Sequence, residues 1–162
     1  MTDIAPVHDP AAFTRYIETR YHARHRAQLP KLVAMAHQVE DLHFGDEDVP
    51  EGLADILERM VGEMEVHMKK EELILFPAIR KGGVPGLDQP IAVMRADHAD
   101  HENDLAEIRR LTGGMALPER ACRTWADLYE GLAEFVTDLE EHMQLENDLL
   151  FPQSEAPAPQ HS

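Results

Sequence analysis

Two eleven-residue blocks with one shared pattern constrain this chain more than any other feature. "HMKKEELILFP" begins at His67 and "HMQLENDLLFP" begins at His142, and both read H-M-x-x-E-x-x-x-L-F-P. Residues four apart lie on the same face of a helix, so each block places a His and a Glu on one stripe. Apolar residues continue each stripe at the same spacing. The pattern therefore predicts two His–Glu pairs at positions that face a helical core.

Proline and glycine positions divide the 162-residue chain into four predicted helices. They run from about Pro10 to Gly45 with an interruption at Pro30, from Pro50 to Arg80, from Asp88 to Leu111, and from Pro118 to Phe151. Period-two alternation is absent from the sequence. We therefore predict an all-α, up-down-up-down four-helix bundle over residues 1–152, with internal two-fold pseudo-symmetry. Residues 153–162 form a polar, Pro-rich tail that we expect to be disordered.

The core stripes of the second and fourth predicted helices carry the His–Glu pairs. The second reads Leu53, Leu57, Met60, Met64, His67, Glu71 and Ile74, and the fourth ends with Leu139, His142, Glu146 and Leu149. The first and third helices carry a second echo, "HARH" from His22 and "HADH" from His98. Two duplicated hairpins would therefore bring four His and two Glu to one level of the bundle. Spacing alone leaves His22 against His25, and His98 against His101, open.

A buried carboxylate is costly unless it is paired or bound to a metal, and two cations would remove that cost here. Imidazole and carboxylate ligands without a thiolate favour iron, manganese or zinc. Six ligands are too many for one tetrahedral zinc, and two similar halves indicate two ions. We expect two His on each ion, with Glu71 and Glu146 bridging and room for a solvent bridge and a small ligand.

Charge and composition exclude several other classes of protein. A formal net charge of −16 argues against nucleic-acid binding. The sequence has no apolar run long enough to span a bilayer and no secretory signal, and its single cysteine fits a reducing cytoplasm. We expect that cysteine, Cys122, to be a small buried apolar residue. His43 follows His22 by about 31 Å along a straight helix, so we expect it near the helix end at the surface.

These motifs resemble the hemerythrin-like (HHE cation-binding) domain of the Repair of Iron Centres, or ScdA-type, di-iron proteins. The resemblance covers residues 10–152 and includes "RYHARHRAQLP", "VMRADHADH" and "CRTWADLYEGL" besides the two opening blocks. It implies a non-haem di-iron centre with an oxo or hydroxo bridge. The ligands that it implies are His22, His67, Glu71, His98, His142 and Glu146. Full-length members of that family carry an N-terminal domain with a cysteine pair, which has no counterpart in this sequence.

The resemblance implies a role in nitrosative and oxidative stress. The protein would repair iron–sulfur clusters by supplying iron to iron–sulfur proteins, or would bind and reduce nitric oxide. A bacterial hemerythrin that binds or senses oxygen or nitric oxide is the first alternative. A ferroxidase or iron buffer is the second, which the acidic charge favours and the small number of carboxylate ligands weakens.

Overall fold

Four long helical rods run through residues 4–82 and 85–155, which the computed structural model describes. The rods are α1 (Pro10–Ile17), π1 (Glu18–His22) and α2 (Ala23–Leu42); α3 (Leu53–Lys70), π2 (Glu71–Leu75) and α4 (Phe76–Arg80); α5 (Asp88–Thr112); and α6 (Arg123–Leu145), π3 (Glu146–Leu150) and α7 (Phe151–Ser154). Helix α2 packs against α3 and α6, and α5 packs against the same two helices. The described residues contain no strand, and the predicted all-α four-helix bundle is confirmed.

Local signals fix the rod ends. The side chain of Asp9 accepts a hydrogen bond from the Ala12 N–H at 3.2 Å, and Pro10 occupies the first turn of α1. Gly113 ends α5 with a left-handed backbone (φ 58°), which glycine adopts without strain. The first rod departs from α geometry at π1, whereas Pro30, where we predicted the interruption, lies inside α2. Residues 156–162 of the predicted tail lie outside the described residues.

The three π segments change the register of the core stripes. In each of them one backbone N–H bonds to the carbonyl five residues earlier, namely Ala23 to Glu18, Phe76 to Glu71 and Phe151 to Glu146. A π turn holds one more residue than an α turn, so the residues after it rotate around the rod. Leu75 and Leu150 are therefore buried, while Ile74 and Leu149 are 63% and 41% exposed. The predicted core positions of Ile74 and Leu149 were wrong for this reason.

A polar layer divides the core into two apolar clusters. The larger cluster fills the bundle on one side of the layer and includes Leu32, Leu57, Met64, Leu105, Trp125, Leu132 and Phe135. The smaller cluster lies on the other side and includes Phe13, Ile17, Leu75, Phe76, Ile91, Met94, Leu150 and Phe151. Apolar burial on both sides stabilises the bundle and keeps water from the layer between them. That layer contains the histidines and glutamates of the repeated motifs.

Candidate metal centre

All six predicted ligands lie in the polar layer, and each is at most 3% exposed; they are His22, His67, Glu71, His98, His142 and Glu146. They form two groups that share both glutamates. One group contains the His22–His142 pair and the other contains the His67–His98 pair, and the ligand atoms within each group lie within 4.8 Å of one another. Each pair joins a rod of the first hairpin to a rod of the second. An ion in either group would therefore tie the two hairpins together.

The two carboxylates lie between the histidine pairs. Oε1 of Glu71 is 3.0 Å from Nε2 of His22 and 3.6 Å from Nε2 of His67. Glu146 lies 2.8 Å from Nε2 of His98 through Oε1, and 3.2 Å from Nε2 of His142 through Oε2. Each glutamate thus faces one histidine of each pair. Both glutamates could therefore offer a ligand atom to an ion in either group.

Every one of these four histidines has its other ring nitrogen, Nδ1, in a hydrogen bond. The partners are Glu72 for His22 at 2.7 Å, Asp97 for His67 at 2.9 Å, Asn147 for His98 at 2.8 Å and His25 for His142 at 3.0 Å. The carboxylate and amide oxygens can only accept, so Nδ1 carries the proton in those three rings. An Nδ1–H leaves a free lone pair on Nε2, and partners of this kind orient the histidine ligands of metals.

Several buried ligand atoms make no well-directed hydrogen bond within the described residues. They are Nε2 of His67, His98 and His142, Oε2 of Glu71, and both carboxylate oxygens of Glu146. Buried polar atoms without partners are rare in native proteins because their desolvation is uncompensated. Cations between these atoms would satisfy all of them at once. The nitrogen and oxygen donor set, without a thiolate, fits iron.

The electrostatics of the layer lead to the same conclusion. Burial, with Glu146 beside it, raises the pKa of Glu71 well above its ordinary value. Burial would also raise the pKa of Glu146, but His142 and His98 hold it well below the ordinary value. Burial and the neighbouring His142 lower the pKa of His22 to about 4, so its imidazole is neutral at neutral pH. A neutral imidazole is the form that binds a metal.

The Leu-Phe-Pro end of each repeated block supports the centre from the smaller apolar cluster. The Phe76 ring stacks on His22 with centroids 5.8 Å apart, and the Phe151 ring stacks on His98 at 5.8 Å. Segments π2 and π3 each begin at the glutamate and end directly before the phenylalanine, and the extra residue of each segment helps place both side chains on the core face. The repeated phenylalanines therefore fix histidine rings on the first helix of each hairpin.

His25 and His101 lie beside the ligands and outside both ligand groups. Both are buried, at 0% and 3% exposure. His25 contacts Nδ1 of His142, whereas the His101 ring packs on His67 at 5.2 Å and neither of its nitrogens has a hydrogen-bond partner among the described residues. Burial is the main reason that their pKa values fall to about 2 and about 3. His43 is the C-cap of α2, at the other end of that helix from His22.

The surroundings of the two pairs differ where the duplicated sequence differs. Tyr21 and Asp97 each precede the first histidine of a hairpin. The Tyr21 ring stacks on His142 with centroids 5.4 Å apart, while Asp97 accepts the hydrogen bond from His67. A cleft of about 550 Å³ opens beside the His67–His98 pair, with Asp97 and His101 among its lining residues. A cleft of about 340 Å³ between α2 and α6 has no histidine in its lining.

The sequence profile described as the hemerythrin HHE cation binding domain matches residues 15–154. The chain belongs to this family. It is 47% identical over 150 residues to a protein of Pectobacterium atrosepticum, a match that covers 93% of this chain and 66% of the relative. A protein of Edwardsiella ictaluri is 48% identical with the same coverage, and one of Yersinia pseudotuberculosis is 48% identical over 139 residues, covering 86% of this chain and 63% of the relative.

Each of these three relatives is named iron-sulfur cluster repair protein YtfE. The chain spans just under two thirds of the length of these relatives. The predicted resemblance is confirmed. Within residues 4–82 and 85–155, no helix combines the length and the apolar character that a bilayer crossing demands.

Three of the four hydrogen-bond partners of the histidines, Glu72, Asp97 and Asn147, were not predicted from the sequence. Glu72 and Asn147 occupy equivalent places in the two blocks, directly after Glu71 and Glu146, and both are polar. A polar residue at the same place in both blocks could have indicated a hydrogen-bond partner for a histidine. Asp97 could not be found in this way, because the equivalent residue in the other half is Tyr21.

Proposed function

We propose that this protein binds two iron ions and repairs damaged iron–sulfur clusters by supplying iron to iron–sulfur proteins during nitrosative and oxidative stress. The proposed ligands are His22, His67, Glu71, His98, His142 and Glu146. The two glutamates would bridge the ions together with an oxo or hydroxo group. The observation that carries the proposal is the pair of buried ligand groups that share Glu71 and Glu146. The names of the relatives support cluster repair as the role.

The chain's own residues give this centre a defined shape. Four Nδ1 hydrogen bonds orient the imidazoles, and three of them also fix the tautomer. Two phenylalanine rings limit the rotation of His22 and His98. The two apolar clusters exclude bulk water. Two bound iron ions would supply one-electron redox chemistry and open coordination positions for nitric oxide or oxygen. Rigid ligands in a dry cavity favour the retention of metal until a path for release is available.

The cleft beside the His67–His98 pair supports iron supply over permanent storage. Glu63, Asp97 and Asp100 line it, and their carboxylates suit the passage of a divalent cation. Asp97 accepts a hydrogen bond from His67 and also lies 3.5 Å from Lys70, so it links a ligand to the cleft. We infer that iron enters and leaves on this side. The site of action would be the cytoplasm.

Reversible binding of oxygen or nitric oxide is the second candidate function. The observation that favours it is the apolar packing on both sides of the centre, which admits a small uncharged gas more readily than a charged solute. A ferroxidase or iron buffer has less support, because four of the six proposed ligands are imidazoles.

Iron transfer tests the first proposal directly. The protein is loaded anaerobically with ⁵⁷Fe and mixed with a dehydratase whose four-iron cluster has lost one iron to peroxide. We expect the dehydratase to regain activity and to contain ⁵⁷Fe by Mössbauer spectroscopy. The controls are Glu71→Ala protein and free ferrous iron in the same amount. Reactivation no better than that with free iron would contradict iron supply.

The same loaded protein distinguishes the alternative. A stable optical spectrum of an oxygen or nitric oxide adduct, without transfer of ⁵⁷Fe, would favour gas binding. Repeated oxidation of added ferrous iron to released ferric product would favour a ferroxidase.

A further inference from the structure

His101 is a buried histidine that lies beside the metal centre and outside both ligand groups. It follows His98 by one turn of α5 and is 3% exposed. Neither of its ring nitrogens has a hydrogen-bond partner among residues 4–82 and 85–155. An imidazole carries at least one N–H donor in either tautomer, and burying such a donor without a partner is costly. A buried ring with two unpartnered nitrogens therefore points to a binding partner of its own.

The His101 ring contacts both histidines of one ligand group. Its centroid lies 5.2 Å from that of His67, edge-on at 80°, and 6.4 Å from that of His98. Along the core face of α5, Met94 belongs to the smaller apolar cluster and Leu105 to the larger one. His101 thus borders the His67–His98 pair on the side of the larger cluster. A small molecule bound to an ion in this group would come within reach of the ring.

His101 also lines the cleft of about 550 Å³ that opens beside this histidine pair. Gly62 and Val66 line the same cleft from α3. A Cβ atom built at Gly62 would meet no atom within 4 Å, so the cleft is open at this position. The cleft therefore gives a small molecule a path from solvent to the buried imidazole.

The charges of the cleft favour an uncharged molecule over an anion. Its two cations are paired with carboxylates of the lining, Arg59 with Glu63 at 3.2 Å and Lys70 with Asp97 at 3.5 Å. The carboxylate of Asp100 adds a further negative charge. An excess of negative charge opposes the entry of anions and does not oppose a neutral diatomic gas.

The equivalent histidine of the other hairpin is already used by the protein. Nε2 of His25 lies 3.0 Å from Nδ1 of His142. The cleft between α2 and α6 has no histidine in its lining. The duplicated histidines have therefore diverged, because His25 orients a proposed metal ligand while His101 keeps both nitrogens available.

We propose that His101 donates a hydrogen bond to an uncharged diatomic ligand of the class of nitric oxide, which enters through this cleft and binds on the His67–His98 side of the centre. The inference rests on the proposed iron centre. It adds the side on which the gas binds and the residue that positions it. His101 ligates neither ion, so its replacement should change how the gas is held and leave the iron content unchanged.

Infrared spectra of the iron-loaded protein under anaerobic nitric oxide test the hydrogen bond. A hydrogen bond to the gas weakens the N–O bond, so His101→Leu should raise the N–O stretching frequency. It should also release nitric oxide about fivefold faster, as the loss of one hydrogen bond implies. His101→Gln keeps an N–H donor and should restore both values towards those of the wild type. His25→Leu is the matched control and should change neither value.

Equal frequencies and equal release rates in wild-type and His101→Leu protein would overturn the role of His101. Wild-type protein that contains two ions per chain and shows no N–O band would overturn this inference and leave the iron centre standing. Fewer than two ions per chain would contradict the proposed function, and this inference with it.

Gly62→Leu tests the route without altering His101. Leucine has a higher helix propensity than glycine, so the variant should fold. Its side chain should narrow the cleft and slow the association of nitric oxide severalfold, with an unchanged N–O frequency. An unchanged association rate would overturn entry through this cleft, and this result stands even if His101→Leu fails to fold.

Discussion

The His22–His142 pair and the His67–His98 pair have matched ligands and different surroundings. Behind the first pair, the Tyr21 ring covers His142 and the neutral His25 contacts its Nδ1. Behind the second pair, the carboxylate of Asp97 contacts Nδ1 of His67 at the edge of an open cleft. The duplicated hairpins therefore keep the metal-binding chemistry in common and differ in access. We infer that the two ions would be bound by the same kinds of ligand but would exchange with the solution at different rates.

The largest effect on iron binding is expected from changes to the two glutamates that both histidine pairs share. Glu71→Ala and Glu146→Ala should each reduce bound iron from two ions per chain towards none, because a bridging carboxylate bonds to both ions. Metal analysis after anaerobic loading measures this loss. Glu102→Ala is the control, since Glu102 follows His98 by four residues but is exposed. Two ions retained with magnetic coupling in either core variant would show that the bridging roles are wrong.

Single histidine changes should separate the two pairs. His22→Ala and His67→Ala should each lose about one ion of two, because an imidazole contributes one bond to one ion. His25→Ala, His43→Ala and His101→Ala should keep both ions. Mössbauer spectra should show that His22→Ala and His67→Ala leave different remaining ions. Loss of both ions from His25→Ala or His101→Ala would mean that the ligand assignment is wrong by one helical turn.

Asp97→Asn tests whether the carboxylate at the open cleft strengthens the binding of one of the two ions. An amide orients the His67 ring less strongly than a carboxylate, so the affinity for one ion should fall by about tenfold while the other ion stays bound. Competition with a chelator measures both affinities. Asp100→Asn is the matched control, since Asp100 lines the same cleft and is exposed. Equal losses from the two variants would remove the special role of Asp97.

Removing the ring that covers the His22–His142 pair should have the smallest effect on iron binding. Tyr21→Ala removes the ring that covers His142, so a chelator should extract iron severalfold faster. Tyr21→Phe keeps the ring and should match the wild-type rate. An unchanged rate in a folded Tyr21→Ala variant would indicate that access on this side does not depend on Tyr21.

The duplicated pattern predicted the bundle and four residues of the polar layer, His67, Glu71, His142 and Glu146, whereas the choice of His22 and His98 came from the family resemblance. Sequence reasoning misplaced Ile74 and Leu149, because periodicity assumes 3.6 residues per turn and a π segment adds one residue. The sequence did not distinguish His22 from His25, or His98 from His101. Residues three apart lie on the same face of a helix, so both histidines of each motif were possible ligands. Sequence reasoning also missed the unequal access of the two pairs, which depends on single residues, Tyr21 and Asp97, that the repeat does not preserve.

Iron stoichiometry after anaerobic reconstitution tests the central claim most directly. If each of the two groups of buried donors that share Glu71 and Glu146 holds an iron, as we propose, the chain binds two ions that are magnetically coupled through the bridges. The account predicts two ferrous ions per chain by metal analysis, and a coupled pair by Mössbauer spectroscopy after oxidation. One ion per chain in a fully loaded sample, or two ions without coupling, would contradict it.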